Sequence, residues 1–146
     1  MAWNLERFIR AQEPIWHTAL NEITTGRKRS HWMWFIFPQL RGLGSSWMAN
    51  EYSLSGLEEA EAYWQHPVLR ARLYMMCEAL MVQETSNARD IFDFPDNLKL
   101  CSCMTLFAHA APEEEMFRRV LDKFFEGRED EQTLWHLSAG PSSMGT

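Results

Sequence analysis

The chain has 146 residues, 46% hydrophobic and 23% charged, with a formal net charge of −6. That length suits one domain with a self-sufficient core, and the balance excludes a disordered chain. The acidic surplus argues against nucleic acid as a main partner, and no apolar run nears the ~20 residues that cross a bilayer.

Pro and Gly punctuate a succession of helical patterns. The first starts near Asn4, a cap-forming residue, and carries Leu5, Phe8 and Ile9. Pro14 suits the first turn of a second helix, whose face bears Ile15, Trp16, Ala19, Leu20 and Ile23 before Gly26 ends it. Arg27-Lys28-Arg29 reads as a short solvated link. Residues 30–38 are apolar on every side, which fits a short buried helix stopped by Pro38. Residues 39–46, with Gly42 and Gly44, read as an ordered loop. Ser55-Gly56-Leu57-Glu58 has the form of a capping box, in which the Glu58 carboxylate would reach back to the helix start.

Pro67 opens the next helix, with Leu69, Leu73, Met76, Cys77, Leu80 and Met81 along one stripe. Asn87 caps a short piece reaching Phe92, and a helix follows over Asp96–Ala110. Pro112 opens another, with Glu113, Glu114 and Glu115 in its first turn and Met116, Phe117, Val120, Leu121 and Phe124 on its core face. Gly127 closes it, and Asp130 caps a last helix through residue 137. The sum is an all-α single domain over residues 1–138, an orthogonal array of about seven helices, with a small-residue tail over 139–146.

Several of these segments resemble one family. His31-Trp32-Met33-Trp34-Phe35-Ile36-Phe37-Pro38-Gln39 is the most specific. With it go Tyr52, Glu59-Ala60-Glu61-Ala62-Tyr63, His66-Pro67-Val68-Leu69, Arg72-Leu73, Lys99-Leu100 and Met104-Thr105-Leu106-Phe107. Together they resemble the bacterial domain-of-unknown-function family numbered 1810. The resemblance implies a mainly helical single domain and no established reaction. Where members often carry Gly, this chain has Arg70, and where they carry Ser it has Cys103, so no tight-turn or hydroxyl role is carried over there. Some members are labelled calpastatin. Calpastatin inhibitory segments are disordered until bound, unlike a chain with the composition of a packed core.

The residues offer a few chemical constellations. His31 beside Trp32 and Trp34 could stack a flat ligand, or the rings could simply fill the core. In residues 39–46, backbone N–H groups, Gln39, Ser46 and the Arg41 fork could hold an anion, although the spacing of Gly42 and Gly44 matches no phosphate-binding fingerprint. Asp96, Lys99, Ser102 and Thr105 recur at helical spacing. They make either a polar stripe at a cleft or a cap, a surface pair and two hydroxyls bonded to carbonyls.

Adjacent carboxylates Glu58 and Glu59 point about 100° apart, which speaks against an acid–base pair. Cys101 and Cys103 diverge by about 200° on a helix, so they cannot share one ion, and core thiols are the simpler reading. Cys103 lies four residues after Lys99, which could lower its pKa if the helix is continuous. The five histidines show no metal-ligand spacing, and no metal or cofactor is expected. An odd cysteine count without a secretory leader suits reduced thiols in a cytoplasmic protein.

Three functions follow. The first is a domain binding a small anionic or nucleotide-like ligand through Trp32, Trp34, Gln39, Arg41, Gly42, Gly44, Ser46, Arg72, Lys99 and Thr105. The second is a hydrolase or transferase on such a ligand, with His31 or Asp96 as acid or base. The third is a protein-interaction module, including a homo-oligomer, joined through exposed rings.

Overall fold

The computed structural model describes residues 3–138; the expected tail lies outside them. Among these residues the chain forms nine α-helices: α1 (Glu6–Gln12), α2 (Trp16–Thr24), α3 (Met33–Ile36), α4 (Trp47–Glu51), α5 (Leu57–Gln65), α6 (Pro67–Met81), α7 (Asp96–Ala110), α8 (Met116–Phe125) and α9 (Glu131–Ser138). A 3-10 turn spans Ala88–Asp90, and the β-structure is one isolated bridge between Leu40 and Leu54. The all-α class holds, and no helix among the described residues is long and apolar enough to cross a membrane.

The centre of the array is α7, buried from Leu100 through Ala108 on every side. It packs against α5, α8 and α9, while α6 packs against α2, α5 and α8. The amphipathic stripe of α8 turns Met116, Phe117, Val120, Leu121 and Phe124 onto this core. A ring-to-ring path joins Phe8, Tyr63, Phe107, Phe117 and Trp64, with centroids 5.0–5.6 Å apart. At that spacing the rings make the tilted and edge-on contacts that aromatic quadrupoles favour.

Several local expectations shift. The side chain of Asn4 caps nothing: the first helix begins at Glu6, behind Leu5. The reach-back carboxylate before α5 is Glu59, not Glu58; its Oε1 accepts the Ser55 N–H at 2.8 Å. Pro112 and the following glutamates precede α8, which starts at Met116. A further helix, α4, follows the loop because Ser46 caps it, its hydroxyl accepting the Ala49 N–H at 3.1 Å. The caps at Asn87 and Asp130 form as the sequence indicates, and α6 gains a further one from His66, whose Nδ1 accepts the Val68 N–H at 3.2 Å.

Candidate functional site

The approach to the site is organised by one buried carboxylate. Glu22 sits on α2, 7% exposed. It accepts the N–H groups of Arg29 (2.9 Å) and Ser30 (3.0 Å), the Ser30 hydroxyl (2.6 Å) and the Trp32 indole N–H (2.9 Å). Burial alone would push its pKa up. The hydrogen bonds, the Ser30 hydroxyl foremost, hold it instead at about 2. A carboxylate so placed fixes the turn that delivers Trp32 to the core.

The preceding link is only partly solvated: Arg29 is exposed, but Arg27 and Lys28 are engaged. Arg27 donates to the carbonyls of Arg89 and Asp90 and pairs with Asp93, and the Lys28 N–H donates to the Ile91 carbonyl at 2.8 Å. The Lys28 side chain is only 8% exposed, and its Nζ lies 2.9 Å from Asp96 Oδ2 and 5.0 Å from the Trp32 ring centroid. On the other oxygen, Lys99 Nζ lies 3.4 Å from Asp96 Oδ1 and 5.4 Å from the Trp34 ring centroid. Contacts thus run Trp32–Lys28–Asp96–Lys99–Trp34, with two ammonium groups on one carboxylate in the first turn of α7.

Trp32 is fully buried and Trp34 half-buried. His31 is exposed beside them in the chain. Asp96 is not a side-chain cap: both its oxygens face ammonium groups, so it serves as a counter-ion. Ser102 and Thr105 bond back to the carbonyls of Leu98 (3.2 Å) and Cys101 (2.8 Å), the second of the two arrangements the stripe allowed.

The other expected ligand-binding residues lie elsewhere and have structural partners. Gln39 and Arg41 flank the Leu40–Leu54 bridge: the Leu54 N–H donates to the Gln39 carbonyl and the Arg41 N–H to the Leu54 carbonyl. Arg41 Nε also donates to the Ser53 hydroxyl at 3.2 Å. Gly42, at φ +100°, packs so closely on the His136 ring that a Cβ would stand 2.8 Å from it. A Cβ at Gly44 would meet Ala49 at 2.6 Å. These glycines allow close backbone approach to α9 and α4. Arg72 donates to Gln12 Oε1 (3.2 Å) and pairs with Glu13 (2.9 Å). Thr105, fully buried, accepts the Asp130 N–H at 2.8 Å and ties the start of α9 to α7.

Sequence reasoning missed Lys28 as a site residue and Arg7 and Glu59 as a structural pair. Arg7 clamps residues 51–59, donating to the carbonyls of Glu51 and Ser53 and pairing with Glu59 at 3.1 Å. The three thiols are free and buried. Burial pushes Cys101 up to about 11 and raises Cys77 and Cys103 further. Lys99 therefore does not activate Cys103, which faces the core. Arg70, at the position where the resemblance puts Gly, lies over the Trp64 ring at 4.8 Å.

A separate cleft of about 620 Å³ opens where α7, the end of α8 and the start of α9 meet. It is lined by Leu98, Cys101, Phe124, Phe125 and charged residues of 123–131, and none of His31, Arg41 or Lys99 reaches it.

The sequence pattern of one family, described as "Protein of unknown function (DUF1810)", matches residues 2–137. A crystal structure of the conserved hypothetical protein Rv1873 from Mycobacterium tuberculosis is similar to this chain, with 47% sequence identity and a TM-score of 0.91. The similarity covers 92% of this chain and 96% of that one. No curated protein matches.

Proposed function

We propose that this chain, which belongs to the DUF1810 family, binds a small anionic, nucleotide-like ligand on the face formed by Lys28, Asp96, Lys99 and Trp34. One observation carries the reading: two ammonium groups share a single carboxylate beside a half-buried indole. Lys28 is the more buried cation and the closer to Asp96, so leaving it unpaired would be costly. Asp96 therefore stays with Lys28. Lys99, 24% exposed and at 3.4 Å, is the cation an incoming anion captures. The first turn of the fifteen-residue α7 adds a favourable dipole for negative charge, and the Trp34 ring offers a stacking face.

Binding is preferred here to catalysis, because Asp96 has both oxygens on lysines and His31 has no orienting partner. A cytoplasmic setting in a bacterial cell goes with this reading, supported by three free thiols and a mycobacterial relative.

The test is thermal denaturation of the full chain with adenosine monophosphate, adenosine and inorganic phosphate. A ligand at about a hundred times its Kd adds about 2.7 kcal/mol, or about 5–10 °C in Tm for a chain of this size. Adenosine monophosphate is expected to give that rise, phosphate a smaller one, and Lys99→Met or Trp34→Ala to remove it. Equal melting with and without every anionic probe, or an undiminished rise in Lys99→Met, would refute the reading.

A further inference from the structure

We propose that the outer face of α6 is a docking surface for a basic amphipathic helix of a partner protein. The inner side of α6 carries Leu69, Leu73, Met76, Cys77 and Leu80 into the core. A second apolar row runs along the opposite side. Val68, Met75 and Val82 are 39%, 42% and 76% exposed, with Ala71 and Glu78 exposed between them. Val82 lies just past the last residue of α6, yet its N–H bonds to the Glu78 carbonyl at 3.3 Å, so it continues the same helical turn.

The spacing of this row is that of a helix-pairing seam. Its five positions follow at intervals of three, four, three and four residues. At 100° per residue they fall within an arc of about 80° and run for about 21 Å. Alternating steps of three and four are what keep an a/d seam turned toward a partner helix. A helix that is apolar on two sides needs cover on both. On the inner side α2, α5 and α8 supply it; among the described residues nothing covers the outer row, which stays exposed.

The charges beside the row select the sign of the partner. Tyr74, next to Met75 in the chain, lines an open depression together with Glu113, Glu114, Glu115 and Arg119. With Glu78, that flank sets four carboxylates against one guanidinium. On the other flank Arg72 is already paired with Glu13 at 2.9 Å, so no net charge is left there. Lys and Arg beside the apolar stripe of an incoming helix complement this arrangement. Such helices dock through apolar anchors one turn apart, the spacing this row offers.

Two other occupants suit the face less well. An antiparallel two-fold pairing of α6 with a second copy of this chain sets one patch against itself, so the acidic flank would meet its own like charges. A lipid surface offers the apolar row a place to sink, but the net charge of −6 opposes approach to anionic headgroups.

The experiment is an amide chemical-shift titration of the full chain with three synthetic peptides. The first is a three-heptad helix with Leu at a and d and Lys at e and g. The second has Glu in place of those Lys residues, and the third has the composition of the first in an order that forms no apolar face. The Lys helix is expected to shift the amides of residues 68–82 and to bind about tenfold more tightly than the Glu helix, the sum of a few exposed ion pairs. The reordered peptide should leave those amides unmoved. Met75→Asp and, separately, Val82→Asp should each weaken the Lys helix about tenfold by removing apolar contact, and Glu78→Lys should narrow its advantage over the Glu helix. All three positions are exposed, so the variants keep the fold, which an unchanged Tm checks. No response to the Lys helix, equal binding of the Glu or reordered peptide, shifts mapping away from α6, or undiminished binding in both Asp variants would each overturn the proposal. So would self-association in sedimentation that Met75→Asp abolishes, since the occupant would then be a second copy.

Discussion

Replacing Glu22 by Gln removes the charge that holds residues 29–32 in place. The amide keeps one acceptor oxygen but turns an NH2 group toward donors that now lack a partner. Those donors are two backbone N–H groups, a hydroxyl and the Trp32 indole N–H, and the indole ring is fully buried. A carboxyl held at about 2 rather than its ordinary 4.5 contributes stability of about 3 kcal/mol at neutral pH.

The sign follows from the depressed value. The folded protein holds the proton less tightly than the unfolded chain does. The contribution is therefore complete above about pH 4.5 and is lost as pH falls toward about 2. Urea denaturation of the parent chain and of Glu22→Gln, each run from neutral pH down to about pH 2.5, isolates the effect by difference. The gap is expected to be about 3 kcal/mol at neutrality, or about 6–12 °C in Tm, and to close steadily at acid pH. A gap that stays constant across the range would show that the charge of Glu22 is not what stabilises the fold.

Gly42→Ala places a Cβ against the His136 ring in a left-handed conformation and should cost about 1–3 kcal/mol. The double variant with His136→Ala should recover only the steric part, which melting curves of the two proteins will separate. Glu59→Gln leaves the Arg7 guanidinium, 14% exposed, without its carboxylate and should cost about 3–5 kcal/mol in urea denaturation. The same change at exposed Glu58 should stay within about 0.5 kcal/mol. With all three thiols buried and their pKa values raised, Ellman's reagent at mildly alkaline pH should label no cysteine in the native protein. All three should react in denaturant, and rapid native labelling of Cys103 would contradict its burial.

Local chemistry determined much of this protein from the sequence alone. The stripes of α6 and α8, the span of α7, the caps at Asn87 and Asp130, and the buried turn of helix at Met33–Ile36 are all encoded by neighbours within a few residues. So was the all-α class, because helical spacing of apolar residues is a local signal. Tertiary structure alone decided which polar groups meet. Nothing near Lys28 in the chain indicates that Asp96 will sit 2.9 Å away, or that Lys99 will share that carboxylate.

Arg41, Arg72 and Thr105 looked available for a ligand and instead bond to Ser53, to Gln12 and Glu13, and to Asp130. Ion pairs and buried hydrogen bonds join residues far apart in the chain. Their partners are set by how the helices pack, and helical periodicity carries no record of that.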